Sequence, residues 1–435
     1  MNLYHVVRPI ATLVFKFYFK KIYHTGTEKI PHGKPLIFSC NHQTGFFEPC
    51  MLACLTWDVE YHFITRGDMF EKPWVRRIFG SLNMIPIFRF KDGFSNLKNN
   101  AATMKYIYKA LAEKKSILIF SEGGTETVKR LRPIQKGMAR MAFGNYDIYG
   151  DLDLHFVPVC LTYTDPHTFR SEVMIQYGDA IPLSQYYEIY AENNNKAINQ
   201  LTADVQNAMR PLLVEIAKPE NDEVTENIFT LYRNTYPEPV FPIFNSFKRR
   251  LMAHQEIANN ITQLDGNQLV TLKNKTDAYF SNLKSKGLDD LAIAQPWHEN
   301  SKNLMALIIG FIPFAIGWLG HWIPAWYATK IKNERVKYLE FKGPVLATVA
   351  MGGILIQYII LITVAFILNH WAIYALVALL PFLGYYSLIY KDLWVKYQAC
   401  SRLKTANVTA SEAWQEGVLK LRNEREEILG MVRSV

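Results

Sequence analysis

The chain has 435 residues, which is too long for one small core, so its length predicts one large domain with additional segments. A formal net charge of +9 is compatible with nucleic acid, anionic lipid or acidic substrates as partners. The five cysteines form no C-x-x-C pair and no histidine cluster, which argues against a zinc site and indicates reduced, mostly buried thiols in a cytosolic compartment. Strongly apolar segments in the last third of the chain favour lipid over nucleic acid.

The segment from Tyr4 to Tyr23 mixes large apolar residues with Arg8 and three lysines. Its uncharged run is too short to cross a bilayer, and no signal-peptide cleavage pattern follows it. We interpret residues 1–25 as an interfacial N-terminal helix whose lysines reach lipid phosphates. A helix that packs on the protein core is the alternative.

Short apolar runs alternate with helical stretches over residues 35–180, which predicts an α/β fold with a largely parallel sheet flanked by helices. The predicted strands are 35–40, 61–65, 84–88, 116–120, 156–163 and 173–177, and the predicted helices are 46–56, 69–82, 95–114 and 134–145. An amphipathic helix follows, and it completes a domain at residues 26–220; its apolar stripe is Ile198, Leu201, Val205, Met209 and Leu212.

The segment 221–302 is polar and rich in asparagine and lysine. It predicts a helical linker region with a middle broken by Pro237, Pro239 and Pro242. Residues 391–435 predict a charged helical tail.

We interpret residues 303–390 as a membrane region because 303–329 and 343–390 contain no formally charged residue. The second run is long enough for two crossings joined near Asn369 and His370, which predicts a transmembrane hairpin. Lysines and arginines on both flanks of the hairpin place these flanks in the cytoplasm by the positive-inside rule. The first run contains glycines and prolines and either crosses or re-enters; we favour a re-entrant segment.

The expected location is therefore the cell (cytoplasmic) membrane, with several membrane segments. A re-entrant first run keeps the α/β domain in the cytoplasm, whereas a full crossing would place it opposite the basic flanks.

The run NHQTGFFEP, from Asn41 to Pro49, directly follows a predicted buried strand. Reactive groups gather at such strand ends. His42 can act as a general base near neutral pH, and the carboxylate of Glu48 can fix its tautomer and stabilise the imidazolium. Residues six apart point about 120° away from each other on a regular helix, so the pair can meet if His42 lies in the turn before the helix. A structural strand-end histidine is the alternative.

Two further blocks indicate a phosphate-binding surface. Arg89 follows the apolar strand 85–88 and can hold a phosphate through two hydrogen bonds. After strand 116–120 comes a turn whose glycines let backbone N–H groups approach a phosphate. Its residues are Glu122, Gly123, Gly124 and Thr125.

A basic group follows this turn and is open to two interpretations, a solvated loop or a phosphate contact. It consists of Lys129, Arg130 and Arg132. A later predicted strand contains the run Val157-Pro158-Val159.

Taken in this order, these blocks resemble the glycerolipid acyltransferase family, which includes glycerol-3-phosphate and lysophosphatidate acyltransferases. The matching blocks are the histidine and acid block at 41–49, the arginine block at 85–89, the Glu-Gly block at 120–125 and the Val-Pro strand at 157–159. The resemblance extends from residue 30 to residue 220. It implies an α/β sheet flanked by helices, and the apolar segments that follow also resemble those of bacterial acyltransferases with an extended C-terminus.

The resemblance also implies roles for the site residues. His42 would be the catalytic base that deprotonates the acceptor hydroxyl, and Glu48 would hold it in register. The acceptor would be bound by Arg89, Glu122, Gly123, Gly124 and Thr125, with Glu122 bonding a hydroxyl or holding a cation.

The implied substrates are an acyl donor, acyl-CoA or acyl carrier protein, and a lipid precursor such as glycerol 3-phosphate or lysophosphatidate. We expect no metal and no cofactor. The expected partners are these substrates and the lipid bilayer, and we expect no nucleic acid.

The chain departs from the family pattern at one position. Phe47 occupies the place of the family's aspartate, and the acid is Glu48, one residue further on. Two alternatives to acylation of a phosphate-bearing lipid therefore stay open: O-acylation of another lipid acceptor, such as an acylated amino acid, and a membrane scaffold that has lost its chemistry. Whether Glu48 reaches the ring of His42 discriminates the scaffold from the enzymes.

Overall fold

The structure is a computed structural model that describes residues 2–88, 100–294, 300–409 and 412–433. It contains two compact units. The first, here called the α/β unit, consists of Met1–Val214, Ile243–Leu251 and Val336–Pro344. The second, here called the helical unit, consists of Glu215–Pro242, Met252–Arg335 and Val345–Val435.

Among the described residues of the α/β unit, nine strands form one sheet. They are β1 (Lys21–Thr25), β2 (Leu36–Cys40), β3 (Tyr61–Arg66), β4 (Met84–Ile87), β5 (Ser116–Phe120), β6 (His155–Tyr163), β7 (Glu172–Tyr177), β8 (Ile181–Pro182) and β9 (Phe244–Asn245). The strand order is β4-β3-β5-β2-β6-β7-β1-β9, with β8 paired to β6. Neighbours pair in parallel except β6 with β7 and β6 with β8, which confirms the predicted, largely parallel sheet.

Helices of the α/β unit are α1 (Leu3–Tyr18), α2 (Phe47–Leu55), α3 (Pro73–Gly80), α4 (Asn100–Ala112), α5 (Gly137–Tyr149), α6 (Tyr187–Glu192) and α7 (Asn194–Met209). The central strands β2 and β6 are buried along their whole length. The predicted amphipathic helix is α7, whose Leu201, Val205 and Met209 enter the hydrophobic core that also includes α4 and α5. Burial of this apolar stripe explains why the segment forms a helix against the sheet.

The N-terminal prediction is wrong about the end of the helix. Helix α1 ends at Tyr18, and β1 follows within the sheet, so residues 1–25 are not a separate segment. The lysines of this stretch obscured the short strand pattern. One face of α1 is buried through Tyr4 and Phe15, as the core-packing alternative held. The opposite face exposes Val6, Val7, Ile10 and Leu13, and its contact with a bilayer stays a prediction.

Arg8 has a structural role that the sequence did not reveal. It is buried in α1, and its Nη2 donates to the carbonyl oxygen of Thr56 at 2.5 Å and its Nη1 to that of Trp57 at 3.3 Å. Its Nε donates to Ala53. These carbonyls belong to the end of α2, where a helix leaves its last acceptors without intrahelical partners. The guanidinium therefore caps α2 and fixes it against α1.

Several other boundaries differ from the prediction. The predicted helix 69–82 begins at Pro73, because proline favours the first helical position, and a 3-10 turn at Gly67–Phe70 precedes it. The strand predicted at 84–88 ends at Ile87. The start of the helix predicted at 95–114 lies outside the described residues, and the described part is Asn100–Ala112.

Helices of the helical unit include α8 (Asp222–Thr235), α10 (Gly266–Ser285), α11 (Asp290–Ala294), α12 (Asn300–Arg335), α13 (Leu339–Leu368), α14 (Trp371–Thr409) and α15 (Glu412–Arg433). Helix α9 (Arg249–Gln263) and helix α13 each begin in the α/β unit and continue in the helical unit. The segment predicted as a helical linker thus also contains β9, which pairs with β1.

A buried ion pair holds four of these helices together. Asp290 Oδ1 accepts hydrogen bonds from Arg425 Nε at 2.8 Å and from the Tyr279 hydroxyl at 2.5 Å. Asp290 Oδ2 accepts from Asn234 Nδ2 at 2.8 Å. Because each charge has several partners, the pair joins α8, α10, α11 and α15 without leaving an unpaired buried charge.

In the part of the chain that the structure describes, three helices are long and apolar enough to cross a membrane by length and composition: Leu304–Arg335, Leu339–Leu368 and Trp371–Leu403. The last two correspond to the predicted hairpin, although α14 continues to Thr409, so the boundary predicted at residue 390 lies inside a helix. The first segment remains helical through Pro313 and Pro324. The Tyr390 hydroxyl donates to Leu307 O at 3.1 Å.

We predict that His24 makes the α/β unit sensitive to acid. Burial in β1 lowers the pKa of its imidazole from 6.5 to about 4. Between these values the unfolded chain binds a proton that the folded protein excludes, so stability present at pH 7 is lost as the pH falls, by about 2 kcal/mol at pH 5. His24→Gln should therefore show a smaller fall in the melting temperature of detergent-solubilised protein between pH 7 and pH 5.

The matched control for this experiment is His5→Gln, because the side chain of His5 is 60% exposed. This variant should keep the pH dependence of the parent protein. An equal fall in melting temperature for His24→Gln and the parent would contradict the assignment.

Candidate active site

The candidate active site begins at the carboxyl ends of two adjacent parallel strands. Cys40 is the last residue of β2, and it lies opposite Phe120, the last residue of β5. The two chains stay together beyond the sheet, because the Ser121 N–H donates to Cys40 O at 3.1 Å. His42 and Glu122 therefore leave the sheet side by side, at the edge where α/β folds place their reactive groups.

Asn41 fixes the start of the loop after β2. Its side-chain Nδ2 donates to Leu161 O at 2.9 Å, and its Oδ1 accepts from the Leu161 N–H at 2.8 Å. Leu161 lies in β6, the other neighbour of β2. This two-point bond anchors the residue before His42 to the centre of the sheet.

His42 and Glu48 meet, as the sequence required of a catalytic pair. His42 Nδ1 lies 3.2 Å from Glu48 Oε2. His42 precedes α2 by five residues and Glu48 is the second residue of that helix, so the two do not share a regular helix. Because His42 lies in the turn before α2, the separation of about 120° between residues six apart on a helix does not apply to this pair. The glutamate one residue beyond the family's aspartate position thus reaches the histidine.

The Glu48 side chain is fully buried, with 0% relative exposure. Its Oε1 accepts from the N–H groups of Gln43 at 3.2 Å and Thr44 at 2.8 Å. Its Oε2 accepts from the Thr44 hydroxyl at 2.9 Å in addition to its contact with His42. Hydrogen bonds to the charged form compensate the cost of burying a carboxylate. Held in this way, the carboxylate can orient the ring and stabilise its positive charge.

The ring of His42 is also held by stacking. It lies parallel to the Phe120 ring, with centroids 4.0 Å apart and planes 14° apart, and its side chain retains 13% exposure. No described residue hydrogen-bonds its Nε2. With Nδ1 directed at Glu48, Nε2 is the nitrogen through which this histidine can exchange a proton with a substrate.

Glu122 is engaged by the protein itself. Its Oε2 accepts the His42 N–H at 3.0 Å and lies 2.7 Å from Arg132 Nη2, and its Oε1 accepts the Arg132 N–H at 3.0 Å. Arg132 Nη2 also donates to Gly124 O. The carboxylate thus fixes the backbone of His42, and its expected contact with an acceptor hydroxyl or a cation stays a prediction.

The sequence left Arg132 open as a solvated loop residue or a phosphate contact. The structure places its side chain at 21% exposure, in a salt bridge with Glu122. Nothing in the local sequence distinguishes Arg132 from its basic neighbours, because its partners come from the previous turn and from β2. Its position depends on tertiary contacts.

The predicted glycine turn lies beside His42. Gly123 has φ +71°, a left-handed conformation that favours glycine, and its N–H donates to Phe120 O at 3.1 Å. No described residue accepts from the N–H groups of Gly124 and Thr125. These two amides, rather than that of Gly123, are therefore available to a phosphate. Arg89, the predicted phosphate-binding arginine, lies outside the described residues.

Cysteines near the site are poor nucleophiles. Burial raises the pKa of Cys40 well above its usual range, that of Cys50 to about 12 and that of Cys54 to about 11. The thiolate is the reactive form of cysteine. These thiols are therefore poor candidates for an acyl-cysteine intermediate.

Comparison with known proteins agrees with this geometry. Residues 21–162, which contain His42, Glu48 and the glycine turn, match the family model described as Acyltransferase. This match supports the resemblance of the segment to the glycerolipid acyltransferase family. The matched acyltransferase domain ends within β6 and so includes both strand ends that form the site.

Two curated relatives come from Saccharomyces cerevisiae. Glycerol-3-phosphate O-acyltransferase 1 is 26% identical over 204 residues, covering 46% of this chain and 26% of the yeast protein. Glycerol-3-phosphate O-acyltransferase 2 is 24% identical over 222 residues, covering 50% of this chain and 29% of that protein. The matches thus span between a quarter and a third of the length of these relatives.

Among solved structures, the chain is similar to the 1-acyl-sn-glycerophosphate acyltransferase PlsC from Thermotoga maritima. The identity is 15% and the TM-score is 0.34, over 47% of this chain and 78% of that one.

We predict that the carboxylate of Glu48 is required for acyl transfer. Glu48→Gln keeps the side-chain length but removes the charge that stabilises imidazolium, so kcat should fall by about 100-fold or more. Glu48→Asp shortens the side chain by one methylene and should also lower kcat, because the aspartate no longer reaches Nδ1. The measurement is acyl transfer by membranes containing equal amounts of each variant.

Glu192→Gln is the control, because Glu192 is exposed at the end of α6 and should be replaceable without loss. Wild-type turnover in Glu48→Gln would disprove the role of this carboxylate.

Proposed function

We propose that the acyltransferase domain transfers a fatty acyl chain from the thioester of acyl-CoA or acyl carrier protein to a hydroxyl of glycerol 3-phosphate or lysophosphatidate. The observation that carries this proposal is the 3.2 Å contact between His42 Nδ1 and Glu48 Oε2 at the carboxyl end of β2. An oriented imidazole with its second nitrogen directed away from the carboxylate is the arrangement needed to activate a hydroxyl.

In the proposed reaction, His42 Nε2 takes the proton of the acceptor hydroxyl while its oxygen attacks the thioester carbonyl carbon. A tetrahedral intermediate forms, and its collapse breaks the carbon–sulfur bond. The departing thiolate takes the proton back from the imidazolium, which gives the free thiol of the donor and the new ester. Glu48 keeps the ring in place and stabilises its transient positive charge.

For the acceptor, glycerol 3-phosphate is the first candidate, because both yeast relatives are glycerol-3-phosphate O-acyltransferases by name. Lysophosphatidate presents the same combination of a hydroxyl and a phosphate. The N–H groups of Gly124 and Thr125, together with Arg89, are the proposed phosphate ligands.

The two alternatives receive different support. O-acylation of another lipid acceptor would use the same His42 and Glu48 and would differ in the groups that bind the acceptor. The scaffold interpretation would gain support if Glu48 were out of reach of the ring, and the contact between Glu48 and His42 does not give it that support.

We also propose that the protein is a multi-pass membrane protein whose α/β unit faces the cytoplasm. Two features support this: α13 and α14 are apolar and form consecutive helices, and the segment Val336–Pro344 before them folds with the α/β unit. Basic residues lie before and within this segment, which favours the cytoplasmic side. They are Lys330, Lys332, Arg335, Lys337 and Lys342.

The same connectivity supports a re-entrant α12. Among the described residues before Leu304, no helix is long and apolar enough to cross a membrane. The residues that follow α12, Val336–Pro344, belong to the α/β unit. A re-entrant path fits this order of segments, but α12 is helical from Asn300 to Arg335, so the path stays a prediction.

Acyl transfer with defined substrates tests the reaction. Membranes containing the protein should acylate glycerol 3-phosphate or lysophosphatidate from labelled acyl-CoA or acyl carrier protein, and His42→Ala should lower product formation by about 1000-fold. Product with an acylated amino acid alone would identify the alternative acceptor. Equal product from His42→Ala and the parent would refute the base, and no product with any acceptor would favour the scaffold.

Labelling of single cysteines with a membrane-impermeant maleimide tests the topology, in a variant without other cysteines. Ser285→Cys and Lys337→Cys precede and follow α12, and both should be labelled in inside-out vesicles. His370→Cys, between α13 and α14, should be labelled in right-side-out vesicles. Labelling of Ser285→Cys together with His370→Cys would show instead that α12 crosses the bilayer.

A further inference from the structure

The segment Val336–Pro344, here called the connector, follows α12 and includes the first six residues of α13. It belongs to the same compact unit as the catalytic strands, although about 290 residues of chain separate it from His42. The connector contacts the turn between the catalytic base and its carboxylate.

The first contact is made at Gly45, three residues after His42. The Gly45 N–H donates to Glu340 O at 2.9 Å. The ring of Phe341 covers the same glycine, since a Cβ at Gly45 would lie 2.5 Å from ring atoms Cδ1 and Cε1. The absence of a side chain at Gly45 is therefore what lets the phenylalanine ring approach this closely.

The second contact secures the end of the connector. Gly343 is buried, and a Cβ there would lie 2.8 Å from the Tyr18 hydroxyl and 3.2 Å from Phe47 Cε2, with Pro166 O closer still. Phe47 begins α2 and directly precedes Glu48. The connector thus touches the turn on both sides, at Gly45 and at Phe47.

These contacts lead directly to the catalytic pair. Thr44, the neighbour of Gly45, donates to Glu48 through both its N–H and its hydroxyl. The Thr44 hydroxyl oxygen also accepts the Phe47 N–H at 3.0 Å, so it ties the turn to the start of α2. A shift of Gly45 would move Thr44, and with it two of the bonds that hold the Glu48 carboxylate against His42.

We propose that the connector is a positioning element of the active site, in which Glu340 and Phe341 hold the turn from Gln43 to Phe47 in the conformation that brings Glu48 to His42. This inference rests on the proposed acyl transfer and deepens it. Neither connector residue touches the reacting atoms; they act through Gly45.

Steady-state kinetics of three variants test the proposal. Phe341→Ala removes the ring and should lower kcat by about 10-fold, with little change in KM for the acceptor, because a small misplacement of a catalytic group slows the chemical step. Phe341→Leu should restore most of the activity. Gly45→Ala should lower kcat by 10-fold to 100-fold, because its Cβ displaces the ring.

The double variant Gly45→Ala/Phe341→Ala separates a clash from other effects. If Gly45→Ala acts by displacing Phe341, the double variant should be no slower than Phe341→Ala alone, since coupled sites are not additive. Tyr338→Ala is the matched control: Tyr338 lies in the same connector with 73% exposure, and its loss should leave kcat unchanged. Parent-like kcat in Phe341→Ala, in protein that loses activity on His42→Ala, would overturn the proposal while the reaction itself stands.

Hydrogen exchange gives a readout that does not need turnover. The Gly45 amide donates to the connector, so it should exchange faster in Phe341→Ala and at the parent rate in Tyr338→Ala. An unchanged exchange rate in Phe341→Ala would overturn the proposal whether or not acyl transfer is detected.

Discussion

The carboxylate of Glu48 is buried, and the bonds it accepts come from the ring of His42 and from the two residues that follow it, Gln43 and Thr44. Burying a charged carboxylate without such partners would cost several kcal/mol, on the order of the whole stability of a domain. Two of the donors are backbone amides, so they point at the carboxylate in one conformation of the turn. One conformation of the turn therefore both leads into α2 and orients the ring of His42.

A second carboxylate holds the same histidine from its backbone. Glu122 accepts a hydrogen bond from the His42 N–H and forms a salt bridge with Arg132. The Arg132 guanidinium also donates to the carbonyl oxygen of Gly124. The two acids therefore have separate tasks: Glu48 orients the ring, and Glu122 fixes the main chain that carries it. Because Arg132 is paired with Glu122, the predicted phosphate ligands stay Arg89 and the amides of Gly124 and Thr125.

Much of the α/β unit could be predicted from sequence because its strands are short apolar runs that end in polar turns. The sequence placed His42 and Glu122 after two predicted strands; the pairing of these strands, which brings the two residues together, comes from the structure. Other features were hidden for identifiable reasons. β1 carries a lysine and a histidine, so its strand pattern resembled a continuation of α1. The salt bridge of Arg132 and the packing of Phe341 are long-range contacts, which leave no periodic signal in either segment.

The contact between Glu48 and His42 is the clearest case in which a helical spacing rule gives the wrong expectation. Counting along a helix separates residues six apart by about 120°, and this count fails because His42 is not in the helix. The added residue enlarges a turn that must still close on a buried carboxylate. Gly45 has no side chain to oppose the packing of Phe341 against that turn. The effect of the spacing between His42 and Glu48 therefore depends on the conformation of the residues between them. In this chain, Glu340 and Phe341 contact that turn although they are distant in sequence.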